Sequence, residues 1–359
     1  MRMKKILFIA AVALAAAACS KTFDTNPAAS QKAIGFGSWS ETMTKGYTNT
    51  WTNGDAFKVY GAKFLTASAA ATSVFTGETV SYDGSSWGYT DTKYWDLTAV
   101  KYAFYAFMPA NQLETGAVDG TFTSKEITFA NPTANTEDIL VASEYVRERN
   151  ASGQLPTTVV PISFNHMASM VDVKVKKDAS LGTATVKIKD ATLAGIVNKG
   201  TLTVTGYAAA DPFAPTATWT AAASTADYVS TSATAASNLT VTAATTYNAS
   251  GVAGTTTPDA NSLFANYVLL PQTLNAGQKL VISYTISADG ATEAVYDNVE
   301  VDLNTFVNAD NTTNAGTTIG EWVKGTHYTY YITIGANAIT FNASVEDWAT
   351  VNAYKYLVQ

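Results

Sequence analysis

Cysteine and histidine are the scarcest residues of this 359-residue chain, with one Cys, Cys19, and two His, His166 and His327. A single thiol closes no internal disulfide, so covalent cross-links do not hold the fold. A metal centre needs several His, Cys or carboxylate ligands converging. The two histidines lie far apart in sequence, and each is read as a hydrogen-bonded structural residue; no metal and no cofactor is expected. Arginine is confined to Arg2, Arg147 and Arg149. Charged residues make up 14% of the chain and the net charge is −7. So little charge excludes charge-driven disorder, and the absence of clustered Lys and Arg excludes nucleic acid as a partner. Helical periodicity is equally scarce, with residues 136–143 the one candidate. Catalytic signatures are missing too. Gly35-Phe36-Gly37 begins like a glycine-rich phosphate loop, but Ser40 stands where the third glycine belongs and no helix pattern follows. No nucleophile sits in a G-x-S-x-G elbow. An enzyme is not expected.

What the chain does have begins at its N-terminus. Arg2, Lys4 and Lys5 precede an uncharged apolar stretch over residues 6–18. A transmembrane helix needs about 20 apolar residues, and this run is shorter, so residues 1–18 read as a secretory signal. It ends in Ala16-Ala17-Ala18-Cys19-Ser20. Small residues directly before a cysteine are similar to the lipobox of bacterial lipoproteins, with Ala16 where leucine is usual. That resemblance implies that Cys19 carries a diacylglyceryl thioether. Two or more acyl chains anchor a protein stably, at about 0.8 kcal/mol per buried CH₂, so the outer membrane is the expected partner of Cys19.

Downstream, strand signals dominate and predict an all-β fold. Val171, Val173 and Val175 alternate with Asp172, Lys174 and Lys176; Val186 and Ile188 alternate with Lys187 and Lys189. Tyr328, Tyr330, Ile332 and Ile334 repeat the pattern against Thr329, Tyr331 and Thr333. A period of two sends one set to a core and the other toward water. Residues 101–108 differ: Tyr102 and Phe104 share one face, Tyr105 and Phe107 the other, which predicts a strand covered on both sides. Asn53-Gly54-Asp55, Asp83-Gly84 and Asn198-Lys199-Gly200 read as turns. Ala and Thr dominate residues 207–261, a composition that suggests long loops and exposed hairpins. Gly153, Pro156 and Pro161 break the pattern at 155–161. Two β-sandwiches in tandem fit the length, over residues 19–160 and 161–359.

Four groups of segments resemble the fimbrillin family, the type V pilins of Gram-negative anaerobes. The first is the lipobox with Lys32-Ala33-Ile34-Gly35-Phe36. The second is Phe57-Lys58-Val59-Tyr60-Gly61 after Asn53-Gly54-Asp55, with Tyr94-Trp95 and the run Tyr102 to Pro109. The third is Phe164-Asn165-His166-Met167-Ala168-Ser169 with Leu193-Ala194-Gly195. The fourth is Leu270-Pro271-Gln272, Gly325-Thr326-His327-Tyr328 and Val345-Glu346-Asp347-Trp348. The resemblance implies two transthyretin-like sandwiches, a lipidated precursor and polymerisation with other pilin subunits into a surface fimbria. It implies a processing protease that cuts after a basic residue beyond the first strand. Lys45-Gly46 is the first such site, and Lys45 is otherwise an ordinary surface lysine. The cut would displace an apolar strand with Ile34 and Phe36. The candidate donor is the C-terminal tail, with Tyr354, Tyr356 and Val358 on one face; the alternative is that this tail is the last strand of its own domain.

Two other readings stand beside the stalk subunit. One is a fimbrial anchor or tip subunit. The other is a surface glycan-binding lipoprotein that stacks sugars on Trp87, Tyr89, Tyr94, Trp95, Tyr102 and Tyr105; its rival is that these aromatics are core.

Overall fold

The computed structural model describes residues 32–37, 51–68, 70–110, 114–115, 125–130, 138–142, 144–207, 215–233, 239–241, 262–307, 317–336 and 339–347. The fold is all-β. Among the described residues, the helical elements are two 3₁₀ turns, Ala179–Leu181 and Leu303–Thr305.

The first sheet runs in the order Phe164–His166, Leu140–Ala142, Lys101–Met108, Ala56–Phe64, Thr72–Tyr82, Trp87–Gly88. Tyr145–Glu148 also pairs with Lys101–Met108, and every pairing in this sheet is antiparallel. Lys101–Met108 is central and covered on both sides, as its sequence predicts. Tyr102, Phe104, Ala106 and Met108 enter one core with Phe57 and Phe75. Ala103, Tyr105 and Phe107 enter a second core with Tyr60, Val141, Leu202 and Leu270. The expected helix at 136–143 is replaced by the strand Leu140–Ala142, and Ile139, Leu140, Val141 and Ala142 are all buried. An unbroken apolar run supplies side chains to both faces of a covered sheet; an amphipathic helix would bury only one stripe.

Two further sheets enclose the largest core. One has the order Ser262–Leu269, Ser169–Lys177, Thr326–Ile334, Ile339–Asp347, with its two middle strands parallel. The other has the order Thr225–Val229, Thr185–Val197, Lys279–Ser287, Glu293–Asp302. Val171, Val173, Val175, Tyr328, Tyr330, Ile332 and Ile334 meet Val186, Ile188, Leu193, Leu280 and Ile282 between them. The alternation read from the sequence holds, but its outward set is not all wet. Asp172 and Lys174 are buried. The Asp172 carboxylate accepts the Asn266 N–H at 2.6 Å and lies 3.2 Å from His327 Nε2. A buried carboxylate with such partners is tolerated where an unpaired one is not.

A fourth sheet joins the halves of the chain. Lys199–Tyr207 pairs antiparallel with Pro215–Ala221 on one side and with Lys125–Ala130 on the other. Leu202 and Val204 thereby cover the second face of Lys101–Met108. Asn198-Lys199-Gly200, read as a turn, is where the chain leaves one sheet for another. Gly200 is needed there for space, since a Cβ would lie 2.9 Å from Thr220 O and 3.0 Å from Leu270 Cδ1. The Ala/Thr-rich stretch supplies the strands Pro215–Ala221, Thr225–Val229 and Leu239–Val241 among the described residues. It is less exposed than its composition suggests, because Tyr228, Ala233 and Val241 enter the large core.

The segments 164–169 and 270–272 each tie several pieces together. In 164–169, Phe164 packs in the first core, His166 Nδ1 is hydrogen-bonded to Asp138 Oδ2, and Met167 packs in the core shared with the fourth sheet. Ser169 Oγ donates to Val323 O at 2.8 Å. In 270–272, Leu270 fills the shared core while Gln272 bonds both backbone groups of Val197, its Oε1 accepting at 3.0 Å and its Nε2 donating at 3.3 Å.

Candidate functional site

The site lies where residues 32–37 meet the open face of the first sheet. The sequence Lys32-Ala33-Ile34-Gly35-Phe36-Gly37 alternates, and so does its burial: Ala33 is exposed, Ile34 and Phe36 are buried. Phe36 stands edge-on to Phe57, Phe75, Tyr89 and Phe104, with ring centroids 5.2–6.2 Å apart. Such edge-to-face contacts suit the ring quadrupoles.

The backbone of this strand is held from both sides. On one side, Ile34 N–H donates to Lys93 O at 2.8 Å and Trp95 N–H donates to Lys32 O at 3.0 Å. On the other, Phe36–Gly37 runs parallel to Val160–Pro161, and Val160 N–H donates to Gly35 O at 2.8 Å. Residues 32–37 are therefore the middle strand of a small layer. Its flanks are residues 93–95 and 160–162.

Each flank is pinned. Tyr89 OH donates to Ile34 O at 2.6 Å and accepts the Lys93 N–H at 3.2 Å. Burial pushes the Tyr89 hydroxyl above its ordinary pKa, so it stays a donor. Asp96 N–H donates to Tyr102 OH at 2.8 Å. The Asp96 carboxylate binds Lys63 Nζ at 2.7 Å and the Thr98 hydroxyl at 2.6 Å. The Lys63 hydrogen bond, then the one from Thr98, lowers its pKa to about 2.

The opposite flank depends on Arg147, which is buried. Its Nη1 donates to Pro156 O at 3.1 Å, Thr158 O at 3.0 Å and Thr158 Oγ1 at 2.7 Å. Its Nη2 donates to Val159 O at 3.3 Å and to Tyr145 OH. The guanidinium also lies over the rings of Trp95, at 5.4 Å, and Tyr145, at 5.2 Å. A planar guanidinium presents five donors in a fixed fork, a geometry that lysine lacks. Arg149 does similar work nearby, donating through Nε to Ala99 O at 3.0 Å. In a chain so poor in arginine, Arg147 fastens the 156–159 flank of the seat, and Arg149 ties the carbonyls of Leu97, Ala99 and Gly153 beside it. Their rarity was the only signal in the sequence, and their role was not read from it; nor was that of Tyr89.

The aromatic residues proposed as a sugar platform are mostly core. Trp95 and Tyr102 are fully buried and Tyr105 nearly so; Trp87 and Tyr89 are half-buried, and Tyr94 is 51% exposed. No group of three or more His, Cys, Asp or Glu is placed to hold a metal among the described residues. No helix among them is long and apolar enough to cross a membrane. Cys19, Lys45, Gly46, Tyr354, Tyr356 and Val358 lie outside the described residues.

A family model described as fimbrillin-like matches residues 44–348. The chain belongs to the fimbrillin-like family. This fimbrillin is 28% identical to fimbrium subunit Fim1C of Phocaeicola vulgatus, over 97% of both chains. Its fold is similar to that of a fimbrial protein from Bacteroides vulgatus, with a TM-score of 0.59 and 21% identity over 88% of this chain and 99% of the other. A cell adhesion protein from Bacteroides uniformis superposes with a TM-score of 0.47 and 16% identity, over 90% of this chain and all of that one. The family is a structural one, and the fimbrillin is not an enzyme.

Proposed function

We propose that this fimbrillin is a structural subunit of a cell-surface fimbria, assembled by exchange of the strand 32–37 for a strand of a neighbouring subunit, and that the fimbria supports adhesion. One observation carries the reading. The strand with Ile34 and Phe36 fills the middle of a layer whose two flanks are fastened independently of it, by Tyr102 and Arg147. Withdrawing it leaves an apolar trough lined by unpaired backbone groups, which is a template for another strand.

In this reading the chain is exported, cleaved before Cys19 and lipidated there, which brings it to the outer membrane. A protease then cuts between Lys45 and Gly46 and releases residues 19–45 with the first strand. The C-terminal tail, through Tyr354, Tyr356 and Val358, is the candidate to fill the trough of the next subunit. Two sandwich units, 19–160 and 161–359, remain the proposed division; the separate cores around Phe104 and Val173 favour two units, while Ile162 and Phe164 pack in the first core and Leu202, Val204 and Leu270 bridge the two. The glycan-binding alternative has little support, since the aromatic cluster is spent on packing.

The test has two parts. N-terminal sequencing of protein sheared from cells should give a chain beginning at Gly46; a chain beginning at lipidated Cys19 would make this subunit an anchor. Deleting residues 354–359 should leave a folded, exported protein that fails to extend fibres under electron microscopy. Fibres of normal length from that variant would refute the tail as donor, and loss of the folded monomer would make the tail an internal strand.

A further inference from the structure

We propose that Val159 decides which strand the seat of residues 32–37 accepts: an incoming strand must carry glycine at the place of Gly37, and the strand comes from a different subunit rather than from a second copy of this chain. The inference rests on the strand-exchange reading above.

Val159 lies against the outer side of the strand. A Cβ built on Gly37 would fall 2.8 Å from Val159 Cγ1, while one on Gly35 would sit an ordinary 3.8 Å from Val159 Cγ2. Alanine therefore fits at 35, whereas at 37 it requires Val159 to move. Backbone conformation gives glycine no other reason to be there. Gly37 is not among the residues with positive φ, and Phe36–Gly37 is ordinary strand paired to Val160–Pro161. Only the space matters.

Whether Val159 can retreat sets the strength of the rule. A β-branched side chain has few χ1 choices. The backbone is no freer, because Arg147 holds the carbonyls of Pro156, Thr158 and Val159. Val160, the next residue, donates its N–H to Gly35 O. Moving Val159 away would disturb the pairing that seats the strand.

The chain's own tail breaks the rule. Residues 349–359 contain no glycine. With Tyr354 and Tyr356 in the places of Ile34 and Phe36, Leu357 faces Val159; with Tyr356 and Val358 there, Gln359 does. The occupant that fits is an extended segment with two large apolar residues, two positions apart, and glycine directly after the second, as Gly37 follows Phe36.

The experiment uses the full mature chain with a specific protease site in place of residues 41–46, cut after purification so that the first strand can exchange. Three fluorescent peptides are offered: residues 32–40, the same with Gly37→Leu, and residues 349–359. The cut protein should bind the first at least about tenfold tighter than the second, the usual scale of an overpacked site. Val159→Ala, a change at a residue 40% exposed, should shrink that gap to about threefold and improve uptake of the 349–359 peptide by a similar factor. Equal affinity of the unaltered protein for the first two peptides would overturn the rule and leave strand exchange standing. So would a gap that persists in Val159→Ala. Uptake of no peptide by either protein would overturn both.

Discussion

Phe36→Ala tests the seat most directly. The ring is 5% exposed and is met by four aromatic neighbours at 5.2–6.2 Å. Deleting a buried phenyl ring costs about 3–5 kcal/mol, more where the surroundings cannot collapse. Here they cannot. Phe57, Phe75 and Phe104 project from three neighbouring strands of the first sheet, so a loss of about 4 kcal/mol is expected. A second consideration limits how that loss appears. The strand is seated by a handful of backbone hydrogen bonds, and a segment can open locally at a lower free energy than the whole protein unfolds. The substitution will then release the strand before it unfolds the chain. Two measurements on the full mature chain cover both cases: urea unfolding followed by tryptophan fluorescence, and hydrogen exchange at the amides of Ile34 and Val160, which bond Lys93 O and Gly35 O. Either the unfolding midpoint falls, or exchange at those amides quickens by about a thousandfold, the equivalent of about 4 kcal/mol. An unchanged midpoint together with unchanged exchange would refute the packing described.

Arg147→Lys should destabilise the fimbrillin by about 2–4 kcal/mol in calorimetry, because a single ammonium cannot serve the carbonyls that the fork satisfies and leaves buried acceptors unpaired. Gly195→Ala should cost about 3 kcal/mol or more and reduce soluble expression, since Gly195 has φ +69° and a Cβ there would lie 2.2 Å from Gly277 O. Asp96 titrates in the folded protein near 2, below its ordinary value of 3.8. A depressed carboxylate stabilises fully above the ordinary value, and that contribution is lost as the pH falls from about 4 through about 2. Asp96→Asn should therefore flatten the dependence of stability on pH in that window, read from urea midpoints at several pH values.

Much of the β architecture could be read from alternation. The double-sided character of Lys101–Met108 followed from Tyr102 and Phe104 falling on one parity and Tyr105 and Phe107 on the other, and the two cores divide along that line. Burial of Ile34 and Phe36 was legible for the same reason. Exposure was harder to read. Asp172 and Lys174 sit at outward positions of an alternating strand yet are covered, because alternation reports which face a residue takes and not what lies over that face. Residues 136–143 misled because a four-residue apolar run, Ile139 to Ala142, has no period of its own and is decided by its neighbours. The pinning of the seat could not be read at all. Arg147 reaches carbonyls at 156–159, and Tyr89 reaches Ile34, across gaps in sequence that no local pattern marks.

The ladder between Lys125–Ala130 and Lys199–Tyr207 has a consequence for the order of events during biogenesis. Among the described residues, Tyr60, Phe107 and Val141 turn toward a face that Met167, Leu202, Val204 and Leu270 close. Met167, Leu202, Val204 and Leu270 all follow the first 160 residues, so these partners are missing while the chain is still short. That side of the central sheet is therefore completed late, when residues far downstream join it. Contacts of such long sequence separation fold slowly and leave apolar surface open in the interval. A chain waiting in this state needs either rapid delivery of its remainder or a holding chaperone that binds extended apolar strands.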